Sequence, residues 1–106
     1  MYRVIVNSIY ITRGDTAHLP LRIIDSDHEY IPTDQDKIVF SLKKDITKPD
    51  YVLQKEIKNN VLVLNPEDTQ NLECGRYTYD VQITLEDGTV ETIIPPHIFK
   101  VMSEVT

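Results

Sequence analysis

Apolar and polar residues alternate along most of this chain, which is the pattern of half-buried β-strands. The clearest case is Arg76 to Leu85, where Tyr77, Tyr79 and Val81 share one face with Ile83 and Leu85. The polar residues between them share the opposite face. The same period predicts strands over 8–13, 16–24, 36–44, 51–57, 61–64, 90–94 and 98–102.

Turn residues separate these segments. Asn59-Asn60 predicts a tight hairpin that joins segment 51–57 to segment 61–64, and Asp87-Gly88 predicts a type I′ hairpin turn. Pro20 has no N–H to donate, so segment 16–24 is expected to be an edge strand or to be bulged there. Pro95-Pro96 is expected to interrupt the last strand pair. Asn65-Pro66 begins a single helical turn that ends before Gly75.

Seven or eight short strands with turns every 8–12 residues predict an all-β, immunoglobulin-like antiparallel β-sandwich, with residues 1–106 as a single domain. Gly75-Arg76-Tyr77 after the helical turn resembles a tyrosine corner, in which a Tyr hydroxyl bonds back to the upstream backbone. We therefore expect a structural role for Tyr77 rather than a ligand contact. Tyr79 stands where antibody domains have a cysteine, and both Tyr79 and Phe40 are predicted to lie in the core.

Composition and charge exclude several functions. The net charge is −6 and the 11 basic residues are scattered, which disfavours nucleic-acid binding. The single cysteine, Cys74, allows no internal disulfide, so the domain is expected to fold by packing alone. No apolar run is long enough for a membrane span, and no signal peptide is evident. We expect synthesis in the cytoplasm.

The residues that carry chemistry do not form a convincing site. Asp25, Asp27 and Glu29 resemble the start of a calcium loop, but the Gly and the bidentate Glu that such a loop needs are missing. Arg13-Gly14-Asp15 is the integrin tripeptide, and a turn between two strands is its simpler interpretation. The three histidines are isolated, and nothing places a base beside Cys74. We expect no catalytic residue, metal site or cofactor, and no enzyme activity.

The predicted surface offers two kinds of contact. Segments 8–13 and 97–102 are predicted to be sheet edges with few charges, and such edges are templates for strand addition by a partner or a second copy of the chain. Alternatively, exposed rings could stack on sugars. With no Trp in the chain, Tyr30 and Tyr51, together with Tyr10, are the candidates for such a carbohydrate- or cell-surface-binding module.

Several stretches resemble small immunoglobulin-like domains of phage and prophage tails and baseplates, in particular the N-terminal domain of baseplate upper proteins. The matching residues are 14–17 (GDTA), 21–25 (LRIID), 36–44 (DKIVFSLKK), 64–69 (LNPEDT), 75–81 (GRYTYDV) and 87–90 (DGTV). The resemblance implies a structural module that binds tail or baseplate proteins and lies in the virion after assembly. It also implies a sandwich fold. Such domains usually head longer chains, whereas this sequence ends at Thr106.

Overall fold

The computed structural model describes residues 2–3 and 8–105. The described residues form ten strands and one helical turn. In chain order these are β1 (Tyr2–Arg3), β2 (Ile9–Thr12), β3 (Ala17–Pro20), β4 (Ile23–Asp25), β5 (His28–Tyr30), β6 (Lys37–Lys43), β7 (Leu53–Glu56), β8 (Val61–Leu64), α1 (Pro66–Thr69), β9 (Gly75–Thr84) and β10 (Val90–Met102).

The strands form one large sheet and two small ones. The large sheet has the order β2-β10-β9-β6-β7, and every pair in it is antiparallel except β2 with β10. The small sheets are β3-β8 and β1-β4-β5, and all their pairs are antiparallel. The apolar faces of these layers meet in one core.

That core follows from the alternating pattern. On β9 the inward residues Tyr77, Tyr79, Val81 and Ile83 are buried, and the polar residues between them lie on the outer face of the large sheet. The alternating residues Ile38, Phe40 and Leu42 of β6 do the same. From the small sheets, the core receives Ile23, Leu62 and Leu64.

The predicted strand over 16–24 is two strands in the structure. Its first part, β3, pairs with β8 up to Pro20 opposite Val61, where β8 begins. Its second part, β4, pairs with β1 and β5 instead. Leu21 N still donates to Asn60 O at 2.7 Å, and the pairing ends there because Asn59 and Asn60 form the turn that precedes β8. A hairpin joins β4 to β5, and its turn residues Ser26 and Asp27 have positive φ.

The predicted hairpin across Asn59-Asn60 is wrong in its pairing. Both asparagines have positive φ, and Val61 N donates to Lys58 O at 3.0 Å, so the tight turn is present. The strands on either side then separate: β7 joins β6 in the large sheet and β8 joins β3 in the small one. The turn therefore carries the chain from one layer to the other.

Two details at the end of the chain also differ from expectation. The β9–β10 hairpin forms, but its turn is not type I′. Gly88 alone has positive φ there, and its N–H donates to Leu85 O at 2.9 Å, as in a type I turn that ends in a glycine bulge. Pro95 and Pro96 lie inside a continuous β10, where the pairing register with β9 shifts between Ile94 and His97. The two prolines therefore produce a bulge rather than an interruption.

The segment 97–102 is not a sheet edge, contrary to the prediction. Residues 99–102 of β10 pair with β2 on one side, and residues 97–101 pair with β9 on the other. The edge strands of the large sheet are β2 and β7.

Candidate functional site

Strand β2 is an open edge of the large sheet. It pairs with β10 through the register Phe99 opposite Ile9 to Met102 opposite Thr12. On its other side it pairs with no strand among the described residues. The Ile11 side chain is buried, whereas Tyr10 is 61% exposed. Among the described residues, the outer side of β2 therefore has no backbone partner strand, and its exposed side chain is uncharged.

An apolar cleft of about 390 Å³ adjoins this edge. It lies between β2 and the end of the small sheet where β3 finishes and β8 begins. The cleft therefore opens between the two layers of the sandwich. Its lining is mainly aliphatic and includes Ile9, Leu19, Leu21, Leu62 and Ile94. An extended segment added along β2 would find backbone partners at the edge and an apolar site for side chains beside it.

The opposite edge of the large sheet is protected by charge. Strand β7 carries Lys55 and Glu56, and Glu56 forms a 2.7 Å ion pair with Lys58. Charged side chains on an edge oppose the addition of another strand.

Lys55 also protects the neighbouring small sheet. Its ammonium donates to Val63 O of β8 at 2.7 Å and forms a 2.5 Å ion pair with Asp68 of α1. Asp68 in turn accepts from Asn65 N at 2.7 Å. The alternating pattern on β7 gave no sign of this network, because Lys55 and its two partners come together only when β7 and β8 lie in different layers.

Tyr77 has the geometry of a tyrosine corner. Its side chain is 3% exposed, and its hydroxyl donates to Glu73 O at 2.7 Å, four residues upstream. The Lys44 ammonium lies 4.6 Å from the centre of the ring. Burial, followed by the charges of Glu73 and Cys74, raises the pKa of the Tyr77 hydroxyl. This tyrosine is part of the framework and is not open to a ligand.

Phe40 and Tyr79 lie at the centre of the core. Their ring centres are 5.5 Å apart, and the Phe40 ring lies 5.9 Å from that of Phe99. Both side chains are buried, and burial raises the pKa of the Tyr79 hydroxyl. The rings of these three residues pack β6, β9 and β10 together.

The two tyrosines proposed as ligand-facing have different environments. Tyr30 is half-buried and packs against the core, and its hydroxyl donates to the Asp36 carboxylate. Its ring is therefore poorly placed for a ligand. Tyr51 precedes β7 and is 53% exposed, with the Lys43 ammonium 4.7 Å from the centre of its ring. Of these two tyrosines, Tyr51 alone offers an accessible ring.

Tyr51 forms one wall of a shallow depression of about 210 Å³ on the outer face of the large sheet. Asp80 of β9 also lines it, with Ser41 and Lys43 of β6. The period-2 pattern placed Asp80 on this face without marking it as special. Its surroundings depend on the bulge in β10, where the sequence predicted an interruption of the strand pair.

The remaining sequence motifs have structural partners. The Arg13 guanidinium binds both carboxylate oxygens of Glu104, at 2.8 and 3.1 Å, and Gly14 N donates to the buried Thr69 hydroxyl at 2.8 Å. The integrin tripeptide is thus held in a turn. Cys74 is exposed and accepts a hydrogen bond from the Ser103 hydroxyl. Within residues 8–105, no three His, Cys, Asp or Glu side chains are grouped so as to hold a metal ion.

Comparison with known proteins defines the class of fold. The chain is similar over its full length to fibronectin(III)-like modules of Clostridium thermocellum CbhA, with a TM-score of 0.55, 12% identity and all of that chain covered. It is also similar over its full length to CopC from Methylosinus trichosporium OB3b, with a TM-score of 0.54, 13% identity and 98% of that chain covered. These likenesses confirm the all-β, immunoglobulin-like sandwich predicted from the sequence.

The same comparisons bear on the fold alone, since identities this low carry no function. Neither structure is named as a phage tail or baseplate protein. No protein-family model matches the chain, and no curated protein matches it significantly. In the part of the chain that the structure describes, no helix is long and apolar enough to cross a membrane.

Proposed function

We propose that this chain is a non-catalytic protein-interaction module that receives an extended segment of a partner along β2. The observation that carries the proposal is the open β2 edge beside an apolar cleft. Strand addition obtains affinity from main-chain hydrogen bonds and specificity from pockets for alternate side chains. The outer side of β2 provides the main-chain groups, and the adjoining cleft provides the pocket for side chains.

The contrast between the edges supports this choice. At β7 and β8, Lys55, Glu56 and Lys58 place charges where a strand would add, and Lys55 already occupies Val63 O. At β2 the exposed side chain is Tyr10, an amphipathic residue of the kind enriched in protein interfaces. An incoming segment therefore meets fewer obstacles at β2.

The resemblance of several sequence stretches to baseplate domains supports a phage or prophage tail component as the partner, or a second copy of the chain within such a particle. In this proposal the chain is made in the cytoplasm of the host bacterium and becomes part of the virion tail. It requires no cofactor and contacts neither nucleic acid nor membrane.

The test combines particle composition with an edge variant. Mass spectrometry of density-purified particles, from the phage or induced prophage that carries the gene, is expected to detect the chain in the tail fraction. The variant Tyr10→Lys places a charge on the β2 edge and is expected to prevent incorporation. Val90→Lys, at a residue 56% exposed at the start of β10, is the matched control and is expected to be incorporated normally.

Two outcomes would overturn the proposal. If purified particles and their isolated tail intermediates both lack the chain, the tail assignment is wrong. If Tyr10→Lys is incorporated as well as Val90→Lys, the β2 edge is not the contact.

A further inference from the structure

A second surface, separate from the β2 edge, has the features of a small binding site. It is the depression on the outer face of the large sheet, defined by Ser41, Lys43, Ile46, Tyr51, Thr78, Asp80 and Pro96. It lies beside the β10 bulge, where the pairing register with β9 shifts between Ile94 and His97. Bulges of this kind re-aim side chains and are frequent next to functional sites.

Asp80 provides a carboxylate that has no hydrogen-bond partner among the described residues. Its side chain is half-buried, and within residues 8–105 it forms no hydrogen bond or ion pair. Burial raises its pKa, and the charge of Lys43 opposes this only in part. Partial burial disfavours the charged form, because the carboxylate loses part of its hydration and gains no hydrogen bond from the described residues in exchange.

The depression also has an apolar side. Tyr51 is 53% exposed and Ile46 is 62% exposed, and both line it. The Lys43 ammonium lies 4.7 Å from the centre of the Tyr51 ring and donates to Lys48 O at 2.8 Å. An exposed aromatic ring therefore lines the depression together with a carboxylate that accepts no hydrogen bond from the described residues.

We propose that this depression binds one neutral sugar ring of a surface glycan. A pyranose has an apolar C–H face that can stack on Tyr51, and equatorial hydroxyls that can donate to Asp80. Ser41 and Thr78 also line the depression, and their hydroxyls can donate hydrogen bonds to the same ligand or accept them from it. The Ser41 hydroxyl accepts one such bond from Gln54 Nε2 at 3.0 Å. The opposite charges of Lys43 and Asp80 offset each other within the site, which favours a neutral polar ligand over an ion.

The experiment is an NMR titration of the intact ¹⁵N-labelled chain with two probes, soluble glucose oligomers and N-acetylglucosamine oligomers. Saturable shifts are expected for the backbone amides of residues 41, 43, 78 and 80 with at least one probe. Tyr51→Ala and Asp80→Asn are each expected to weaken that binding about tenfold, which corresponds to the loss of about 1.4 kcal/mol. Tyr51→Phe, which keeps the ring, is expected to bind like the parent.

Tyr10→Ala is the control, since it removes an exposed tyrosine on the β2 edge and should leave the titration unchanged. Tyr10 and Tyr51 are exposed and Asp80 is half-buried, and the amide spectrum of each variant reports whether the fold is intact. The proposal is overturned if neither probe shifts these amides, or if Tyr51→Ala binds as well as the parent. It is also overturned if an arginine-rich peptide binds the depression more tightly than either sugar, because Asp80 would then serve a protein partner. None of these results depends on the β2 edge.

Discussion

Removing the Tyr77 hydroxyl tests whether the corner hydrogen bond stabilises this sandwich. The substitution Tyr77→Phe keeps the buried ring and its contact with Lys44 and deletes only the bond to Glu73 O. A hydrogen bond of this kind contributes about 0.5–1.5 kcal/mol, and a partly buried carbonyl left without its donor adds to the loss. We therefore expect the free energy of unfolding to fall by about 1–2 kcal/mol.

The assay is equilibrium unfolding in urea, followed by far-ultraviolet circular dichroism, with a thermal scan beside it. A loss of this size lowers the melting temperature of a domain of this length by roughly 4–16 °C. Tyr10→Phe is the matched control, because it removes the same atom from an exposed ring, and we expect a change within about 0.5 kcal/mol. If the two variants unfold at the same urea concentration, the hydrogen bond from Tyr77 to Glu73 O does not stabilise the fold.

The same group predicts alkaline sensitivity. Because the folded-state pKa of Tyr77 is raised, the folded chain keeps this proton after the unfolded chain has lost it. Stability is therefore intact below the ordinary tyrosine pKa of about 10 and falls as the pH rises above it. Tyr77→Phe should show a smaller fall over this range, and an equal fall in the parent and the variant would contradict the assignment.

Three further predictions concern other parts of the molecule. Phe40→Ala is expected to cost about 3–5 kcal/mol, since Phe40 is fully buried among aromatic rings, and a urea midpoint equal to the parent's would refute that role. Lys55→Met is expected to cost about 1–3 kcal/mol because it leaves Val63 O and Asp68 without their cation. A double-mutant cycle with Asp68→Asn should show coupling, and simple additivity would contradict the network. Asp80→Asn is expected to stabilise the domain at pH 7, because the raised pKa of Asp80 means that ionisation disfavours the fold. That gain should vanish as the pH falls below the ordinary aspartate value of about 4, and a gain independent of pH would refute the electrostatic explanation.

Asp80 illustrates how stability and binding can oppose each other. Its half-buried carboxylate is disfavoured in the charged form, yet it is the acceptor that the proposed sugar site uses. We therefore expect Asp80→Asn to be more stable and to bind more weakly. The two effects can be measured on the same protein samples.

Local pattern determined most of the strands, their inward faces and the class of fold. The side-chain period of a strand is two, so the alternation in 76–85 and 36–44 was enough to place Tyr77, Tyr79 and Phe40 on inward faces. The tyrosine after Gly75 similarly indicated the corner before its partner was known. These features depend on residues close in sequence, and the sequence carries that information directly.

Tertiary structure alone decided which strands pair and which edges stay open. The Asn59-Asn60 turn forms as its sequence predicts, yet the strands beside it enter different layers, because β6 and β3 are their better-placed partners. Contacts between residues far apart in sequence also place β2 beside β10 and bring Lys55 to Val63 and Asp68. Both candidate binding surfaces arise from such long-range pairings, namely the open side of β2 and the bulge beside Asp80. A periodic pattern fixes the direction in which a side chain points but leaves its neighbour across the sheet undetermined, and that neighbour decides whether a surface is free to bind.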